Sequence, residues 1–441
     1  MKIPEIKEIT QYKNPIMDIF KLSDNIKALV LENDLQPIAQ LTIAFSSGSV
    51  IEPIPGLANF TMQMILQGTT TKTAEQISEV AENKGMKLSS KASWDESYIT
   101  VTFLAEFSET AFGLIADCLL NPKFNANEVE GMKIKTLSNL EMRLSEPEYT
   151  AHLGFSYNYF NGHSYGHPHL GTRQSISSIT VEDCKEMYRK LMLGKIYIIA
   201  AGNINKTQVE DFGDNHLTFN YHPEDNGVSS FLGNQDNKIY LIEKQGAAQS
   251  YLSMGIRAIG RKEENYPQFQ LLNTVFGGYF GSRLNKIIRE EKGFTYGVHT
   301  FNDARKYSSV LRISLGTSPE HLGEIMNIIE AEIEKLKMTL ISEEEILTAK
   351  NYIAGSFLRN SETVFQSASL MLSTLINEIP IDFYETFIKK IAVTTPEDLL
   401  KTAQTVLNDY KYTMAISGDI AAMSDSLKSF KNKEVFALPD L

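Results

Sequence analysis

One layout occurs twice in this sequence, first in AEQISEVAENKGMKLSSKASWDESYITVTFLA (74–105) and again in SRLNKIIREEKGFTYGVHTFNDARKYSSVLRISLG (282–316). Each stretch starts with a helical pattern, ends that helix at a glycine, Gly85 or Gly293, and continues as a pair of alternating strands. Glycine is typical of a helix end because it accepts a positive φ without a steric penalty. The two stretches therefore predict the same helix–strand–strand unit at two places in the chain.

Further matches lie outward from these stretches. An apolar strand pattern closed by a glycine turn occurs as IYIIAAGNI (196–204) and as YTMAISGDI (412–420), each preceded by a helix start with an N-cap threonine. The landmarks repeat in the same order at a nearly constant offset of about 210 residues, which favours a duplicated domain over chance similarity of turns. The sequence thus predicts an α+β fold of two homologous domains, each a mostly antiparallel sheet with helices packed on one face.

The predicted domains span residues 1–205 and 238–441. At 441 residues the chain is long enough for each domain to bury its own core. The segment between them, 206–237, contains HPEDNGVSSFLGNQDN (222–237), which is polar and rich in glycine and asparagine. This composition predicts a linker.

Charge and composition exclude several classes of function. Asp and Glu outnumber Lys and Arg by 54 to 42, and the resulting net charge of −12 argues against a nucleic-acid partner. No apolar run approaches the roughly 20 residues of a membrane span, and no secretory signal is visible, so we expect a cytoplasmic protein without membrane contact. The two cysteines, Cys118 and Cys184, lack the spacing of a zinc site or a disulfide framework, which predicts buried free thiols.

The first half carries a resemblance to a known family in GSVIEPIPGLANFTMQMILQGT (48–69). This stretch resembles the start of the insulinase-like, or M16, metallopeptidases, in which a helix carries HxxEH: two histidines bind zinc and the glutamate activates the metal-bound water. The resemblance places Asn59 and Gln63 at the two histidine positions and Met62 at the glutamate. All three catalytic residue types are absent.

The family's third zinc ligand, a downstream glutamate, falls in FNANEVEGMKIKTLSNLEMRLSEPE (124–148). The aligned position is Asn139, with Glu141 the nearest acid if the register differs. An amide oxygen is a poor zinc ligand and methionine is no general base, so this chain is expected to bind no metal of its own. Ser89 and Ser90 also replace the Asn-Ala usual in the family's edge strand, which makes peptide pairing there less secure.

The second half resembles the family without such losses. LLNTVFGGYFGSRLNKIIREEKGFTYGV (271–298) is similar to the segment that supplies an arginine and a tyrosine from the half without zinc, and Arg283 and Tyr296 match them. A guanidinium can hold peptide carbonyls, and a phenol can donate to the oxyanion formed at the scissile carbonyl. Gly277 and Gly278 permit the close backbone approach that a bound peptide needs. The alternative is that Arg283 is a surface cation and Tyr296 an inward strand residue.

The resemblance implies half of a clamshell of the M16B type. The expected function is that of the non-catalytic, substrate-binding subunit of a heterodimeric zinc peptidase, with Arg283 binding substrate and Tyr296 contributing to catalysis. Its partner would carry HxxEH and the zinc, and its substrate would be a peptide. One alternative is an inactive pseudopeptidase that serves as a peptide-binding, assembly or structural protein, and another is an independent zinc peptidase with displaced ligands. A metal site at His163, His167 and His169 is disfavoured, because their spacing fits no catalytic zinc pattern.

Overall fold

The computed structural model describes residues 11–217 and 227–439, which form two sheets of six strands and the helices packed on them. The strands of the first half are β1 (Asp18–Ser23), β2 (Ile26–Glu32), β3 (Ile38–Phe45), β4 (Lys87–Ala92), β5 (Ser97–Leu104) and β6 (Ile196–Gly202). Those of the second half are β7 (Lys238–Glu243), β8 (Ser250–Arg257), β9 (His299–Ala304), β10 (Ser309–Thr317), β11 (Tyr412–Gly418) and β12 (Lys433–Val435).

The helices follow the same repeat. The first half has α1 (Leu57–Met64), α2 (Ala74–Asn83), α3 (Ser108–Leu120), α4 (Ala126–Leu144), α5 (Pro147–Tyr159), α6 (Arg173–Ser178), α7 (Val181–Met192) and α8 (Lys206–His216). The second half has α9 (Tyr266–Asn273), α10 (Leu322–Met338), α11 (Glu343–Arg359), α12 (Val364–Ile376), α13 (Phe383–Val393), α14 (Pro396–Leu407) and α15 (Ile420–Met423), with two π-helical turns at Thr274–Gly278 and Asn285–Glu291.

The two sheets have one topology. Their strand orders are β1-β2-β6-β3-β5-β4 and β12-β7-β11-β8-β10-β9, so five of the six positions correspond and only the outermost strand comes from a different end of its half. Both sheets are mixed, because β2 pairs with β6 in parallel and β7 pairs in parallel with β11 and β12, while the other pairs are antiparallel. The predicted α+β fold of two homologous sheet-and-helix domains is confirmed.

Each sheet buries one face against helices of its own half. In the first half the packed residues include Leu41 and Ile43 of β3 and Phe112 of α3. In the second they include Ile313 of β10 and Ile329 of α10. This arrangement matches the expected covered face, since alternate strand residues point to opposite sides of a sheet and half of them meet helices.

The opposite face of each sheet is covered by a helix of the other half, which the sequence did not predict. Helix α5 packs its Phe155 on β8 and β11, and helix α12 packs its Met371 on β6. The contact with α5 is close, because a Cβ at Gly255 of β8 would lie 2.3 Å from Phe155 Cζ. The two halves thus exchange equivalent helices across their interface, and the prediction of helices on one face was incomplete.

The segment predicted as a linker contains ordered structure. Its first part forms α8, which packs on β1, β2 and α3 of the first half. Residues 218–226 lie outside the described part of the chain. After them, the Phe231 N–H donates to the carbonyl of Tyr307 at 2.8 Å and the Asn234 N–H to that of Tyr159 at 2.7 Å. The connection is therefore fastened to both halves before β7 begins. In the described ranges, no helix is both long and apolar enough to cross a membrane.

Candidate functional site

Helix α1, which corresponds to the zinc-binding helix of the resembled family, starts at a buried carboxylate. Glu52 accepts hydrogen bonds from the backbone N–H groups of Gly56 at 2.9 Å and Ala58 at 2.8 Å. Burial raises the pKa of Glu52 to about 8, and the two N–H donors oppose that rise. Gly56 has φ 86° at the N-cap, a conformation that favours glycine. Glu52 therefore fixes how α1 leaves the preceding loop.

The residues that the resemblance aligns with the family's zinc site do not form a metal site. Met62 is buried in the apolar core, whereas Asn59 and Gln63 lie half-buried one turn apart on α1. Asn139 is exposed on α4, where its Oδ1 accepts from Arg143 Nε at 3.2 Å. Methionine supplies neither a base nor a hard ligand, and amides are poor ligands for zinc.

The acid nearest to Asn139 offers no substitute. Glu141 Oε1 lies 3.6 Å from Arg173 Nε, so this carboxylate already faces a cation. Across residues 11–217 and 227–439, no group of three or more His, Cys, Asp or Glu side chains could hold a metal ion. The residues present in α1 and α4 thus do not fit a zinc ion.

Two of the three histidines in the loop that follows α5, His163 and His169, have packing roles. The ring of His163 stacks on Phe231 at 5.2 Å and its Nδ1 accepts from the Tyr165 N–H at 3.1 Å. His169 packs against Trp94 at 5.3 Å, and burial lowers its pKa to about 4. Neutral rings within an aromatic cluster agree with the reading of this loop as structural.

Tyr296 lies in the loop that precedes β9, and this loop faces solvent. Its side chain is 92% exposed. The loop on either side is held rigidly: Thr295 Oγ1 donates to the Gly316 carbonyl at 2.7 Å, and the side chain of Asn285 bonds both the N–H (3.0 Å) and the carbonyl (2.9 Å) of Val298. The backbone that carries this large exposed phenol is therefore fixed by hydrogen bonds on both sides of Tyr296.

Tyr296, Gly277 and Gly278 line one cavity of about 700 Å³. Gly277 is required by the fold itself, because a Cβ there would lie 2.3 Å from Thr300 Cγ2 on β9. Gly278 is less enclosed: a Cβ there would be 3.1 Å from the carbonyl oxygen of Asn273. The backbone at Gly277 is thus approached closely by β9 of the same chain, whereas the sequence pattern predicted the approach of a bound peptide there.

Arg283 lies apart from this cavity lining. Its Nε and Nη2 form a bidentate pair with the carboxylate of Glu345 on α11, at 2.7 and 2.8 Å. Nη1 lies 4.0 Å from Glu332 on α10, and the side chain is only 17% exposed. The hydrogen bonds to Glu345 raise the pKa of Arg283. Of the four residues predicted for this site, three line the cavity, whereas Arg283 is held in an ion pair and is not part of the lining.

Sequence reasoning missed most of the cavity wall. The other side chains lining it include Glu148 from α5 and six more groups from four segments of the second half: Tyr251, Tyr279, Phe280, His299, Phe301 and Tyr352. Because α5 belongs to the first half, Glu148 reaches the cavity only through the exchange of helices. No local motif marks these residues, and the one available signal was the clustering of aromatic residues at 279, 280 and 296 beside the glycine pair.

Comparison with known proteins agrees with this arrangement. Residues 28–173 match the model of the insulinase (peptidase M16) family and residues 178–353 match that of the peptidase M16 inactive domain. A non-peptidase homolog, YmxG, from Helicobacter pylori is 25% identical over 395 residues, covering 87% of this chain and 90% of the relative. An uncharacterized zinc protease, also called YmxG, from Bacillus subtilis is 25% identical over 340 residues, covering 76% and 82%.

Solved structures show the same fold. A peptidase M16 inactive domain from Pseudomonas fluorescens superposes with a TM-score of 0.80 at 22% identity, covering 91% of this chain and 98% of its own. A protease from Helicobacter pylori superposes with a TM-score of 0.81 at 16% identity, covering 92% and 100%. Two models of one family match the two halves of this duplicated fold in chain order, so the chain is a member of the insulinase (M16) family of peptidases.

Proposed function

We propose that this chain is the substrate-binding, non-zinc subunit of a two-subunit M16B peptidase that cleaves peptides. The observation that carries the proposal is Tyr296, a 92% exposed phenol held on a loop pinned by Thr295 and Asn285. Keeping such a group exposed and fixed has no benefit for the fold, whereas an oxyanion donor must be fixed before the substrate arrives.

In the proposed complex, the partner subunit carries HxxEH and its zinc, which supplies the activated water. Tyr296 Oη donates a hydrogen bond to the oxyanion that develops on the scissile carbonyl. Arg283 keeps its Nε–Nη2 edge on Glu345, and Nη1, which lies 4.0 Å from Glu332, is the nitrogen that holds a peptide carbonyl in this proposal. This chain therefore contributes orientation and charge stabilisation but no base and no metal ligand.

The test is cleavage of a quenched peptide library by this chain, by an HxxEH subunit encoded beside it, and by the two mixed. We expect cleavage only in the mixture, and a loss of roughly 100-fold with Tyr296→Phe, as removal of an oxyanion donor predicts. Tyr157→Phe is the matched control, because Tyr157 is an exposed tyrosine on α5 that does not line the cavity. Unchanged cleavage with Tyr296→Phe would contradict the proposed role.

A second candidate function is a pseudopeptidase that binds peptides or partners without any turnover. The observation that favours it is the ion pair of Arg283, whose guanidinium is already engaged by Glu345. A stable complex with the HxxEH subunit that cleaves no peptide would support this candidate. Stoichiometric zinc in the isolated chain, measured by elemental analysis, would instead point to an independent peptidase with displaced ligands.

A further inference from the structure

Glu148 stands at the rim of the cavity without a cation in contact. It belongs to the first turn of α5, its side chain is 60% exposed, and its Oε1 accepts from the Tyr251 hydroxyl at 3.1 Å. The one ion-pair geometry described for it is with His152 Nε2 at 3.8 Å. Burial and the nearby Arg312 lower the pKa of His152 to about 3, so this ring is neutral at pH 7. The charge of Glu148 is therefore open to a cation from outside the chain.

The largest side chains in the rest of the cavity wall are aromatic. Four of its rings are substantially exposed although they are large and apolar: Tyr296 (92%), Phe280 (67%), Phe301 (44%) and Tyr352 (41%). Tyr251 and Tyr279 add two more, and Tyr279 packs on Tyr352 with ring centroids 4.9 Å apart. No lysine or arginine is among the described residues that line the cavity. The wall thus presents ring faces beside a single carboxylate.

Ring faces attract cations through their quadrupole, and a nearby carboxylate adds a charged acceptor. The chain itself shows the ring-face contact: the Arg289 guanidinium lies 3.3 Å from the centre of the Phe280 ring. An arginine or lysine side chain fits such a wall, because its methylene stem can pack on the apolar rings while its charged group pairs with the carboxylate. A neutral apolar side chain would use the rings but leave the Glu148 charge without a partner.

We propose that this cavity receives an arginine or lysine side chain of an extended peptide, with the cationic head at Glu148 and the stem along the rings of Tyr251, Tyr296 and Tyr352. The inference rests on the proposed function, since it names the substrate class of that same face. In this proposal α5 has a second role besides packing, because it places the carboxylate of Glu148, a first-half residue, at a cavity lined mainly by the second half.

The test is direct binding of fluorescent peptides to this chain alone, followed by anisotropy. Three peptides share one neutral background and differ at a single central position, which is arginine, citrulline or leucine. Citrulline keeps the planar shape of arginine without its charge. We expect the arginine peptide to bind about tenfold tighter than the other two, and Glu148→Gln to abolish that preference. Glu109→Gln, an exposed first-turn acid of α3 outside the cavity, is the matched control and should change nothing.

A second variant checks the rings. Tyr352→Ala should weaken the arginine and citrulline peptides alike, because it removes a stacking surface and no charge. Equal or tighter binding of citrulline or leucine, an arginine preference that survives Glu148→Gln, or no binding of any peptide would each overturn the proposal. The assay contains no partner and no cleavage step. A failure of the two-subunit peptidase in the mixing experiment is therefore distinguishable from a failure of this inference.

Discussion

Two predicted site residues differ in what holds them. Arg283 is a structural cation as it stands, because its bidentate bonds to Glu345 join the residues just before the π-helical turn Asn285–Glu291 to α11. Tyr296 contacts solvent over almost all of its side chain, so its ring adds little to the fold. The family resemblance assigns Arg283 and Tyr296 together, as one functional pair. The contacts separate Arg283, which is paired within the fold, from Tyr296, whose side chain is almost fully exposed.

This difference predicts unequal effects on stability. Arg283→Lys should lower the free energy of unfolding by about 1 kcal/mol, because a lysine cannot reproduce the planar two-point bond to Glu345. Tyr296→Phe should leave it unchanged within about 0.5 kcal/mol, as expected for an exposed site. Urea unfolding followed by circular dichroism measures both. A stable Arg283→Lys protein would show that the Glu345 pair contributes nothing.

The raised pKa of Glu52 predicts that the free energy of unfolding depends on pH. Its pKa is raised to about 8 in the folded chain, above its ordinary value of 4.5, so the folded state binds this proton more tightly than the unfolded state. The corresponding stability is fully present below pH 4.5 and is lost as the pH rises through 8. Glu52→Gln should flatten the decline in unfolding free energy between these pH values. It should also cost about 1–3 kcal/mol throughout, because an amide NH₂ would face one backbone N–H donor. An unaltered pH profile in the variant would refute this account.

At the scale of elements, the exchanged helices are the main feature that the repeat did not reveal. The sequence pattern predicted both domains, the glycine helix ends and the apolar strands, because these depend on local periodicity and on single residues with special backbone conformations. It did not predict that α5 and α12 would pack on the opposite half. Helix α5 carries apolar residues on more than one side, and nothing in its own sequence states which sheet it covers. Because the packing of α5 on the second half was not predicted, Glu148 was not among the predicted site residues.

The packing of α5 on β8 can be tested through a glycine. Gly255→Ala would place a Cβ 2.3 Å from Phe155 Cζ and 2.8 Å from Val310 Cγ2, so the ring or the strand must move. We expect a loss of about 1–3 kcal/mol in unfolding free energy, typical of overpacking. Gly113→Ala on α3 is the matched control: its Cβ would meet nothing within 4 Å, and alanine should stabilise the helix by about 0.5–1 kcal/mol. Equal stabilisation by both variants would mean that α5 does not press on β8.

At the scale of the whole molecule, the two halves are joined by a second contact besides the exchanged helices. Arg305, in the turn after β9, inserts its guanidinium among three first-half rings: Trp94 at 4.7 Å, Tyr165 at 4.8 Å and Phe160 at 5.1 Å. Beside it, the buried Asp95 accepts hydrogen bonds from the Tyr165 hydroxyl and from the Lys306 N–H. A turn of one sheet is thus fixed in an aromatic cluster of the other.

This contact predicts that the chain unfolds as one unit, and the protein carries its own probe. Trp94 is the single tryptophan and lies at the interface, whereas circular dichroism at 222 nm reports helices of both halves. In urea the two signals should change together, because helix exchange and the Arg305 contact couple the cores. Arg305→Ala removes the cation from the rings and breaks its 2.8 Å ion pair with Asp303. In that variant the Trp94 transition should move to lower urea than the helical transition. Coincident transitions in the variant would show that the halves stay coupled without the Arg305 contact. Separate transitions in the unmodified chain would show that the halves unfold independently.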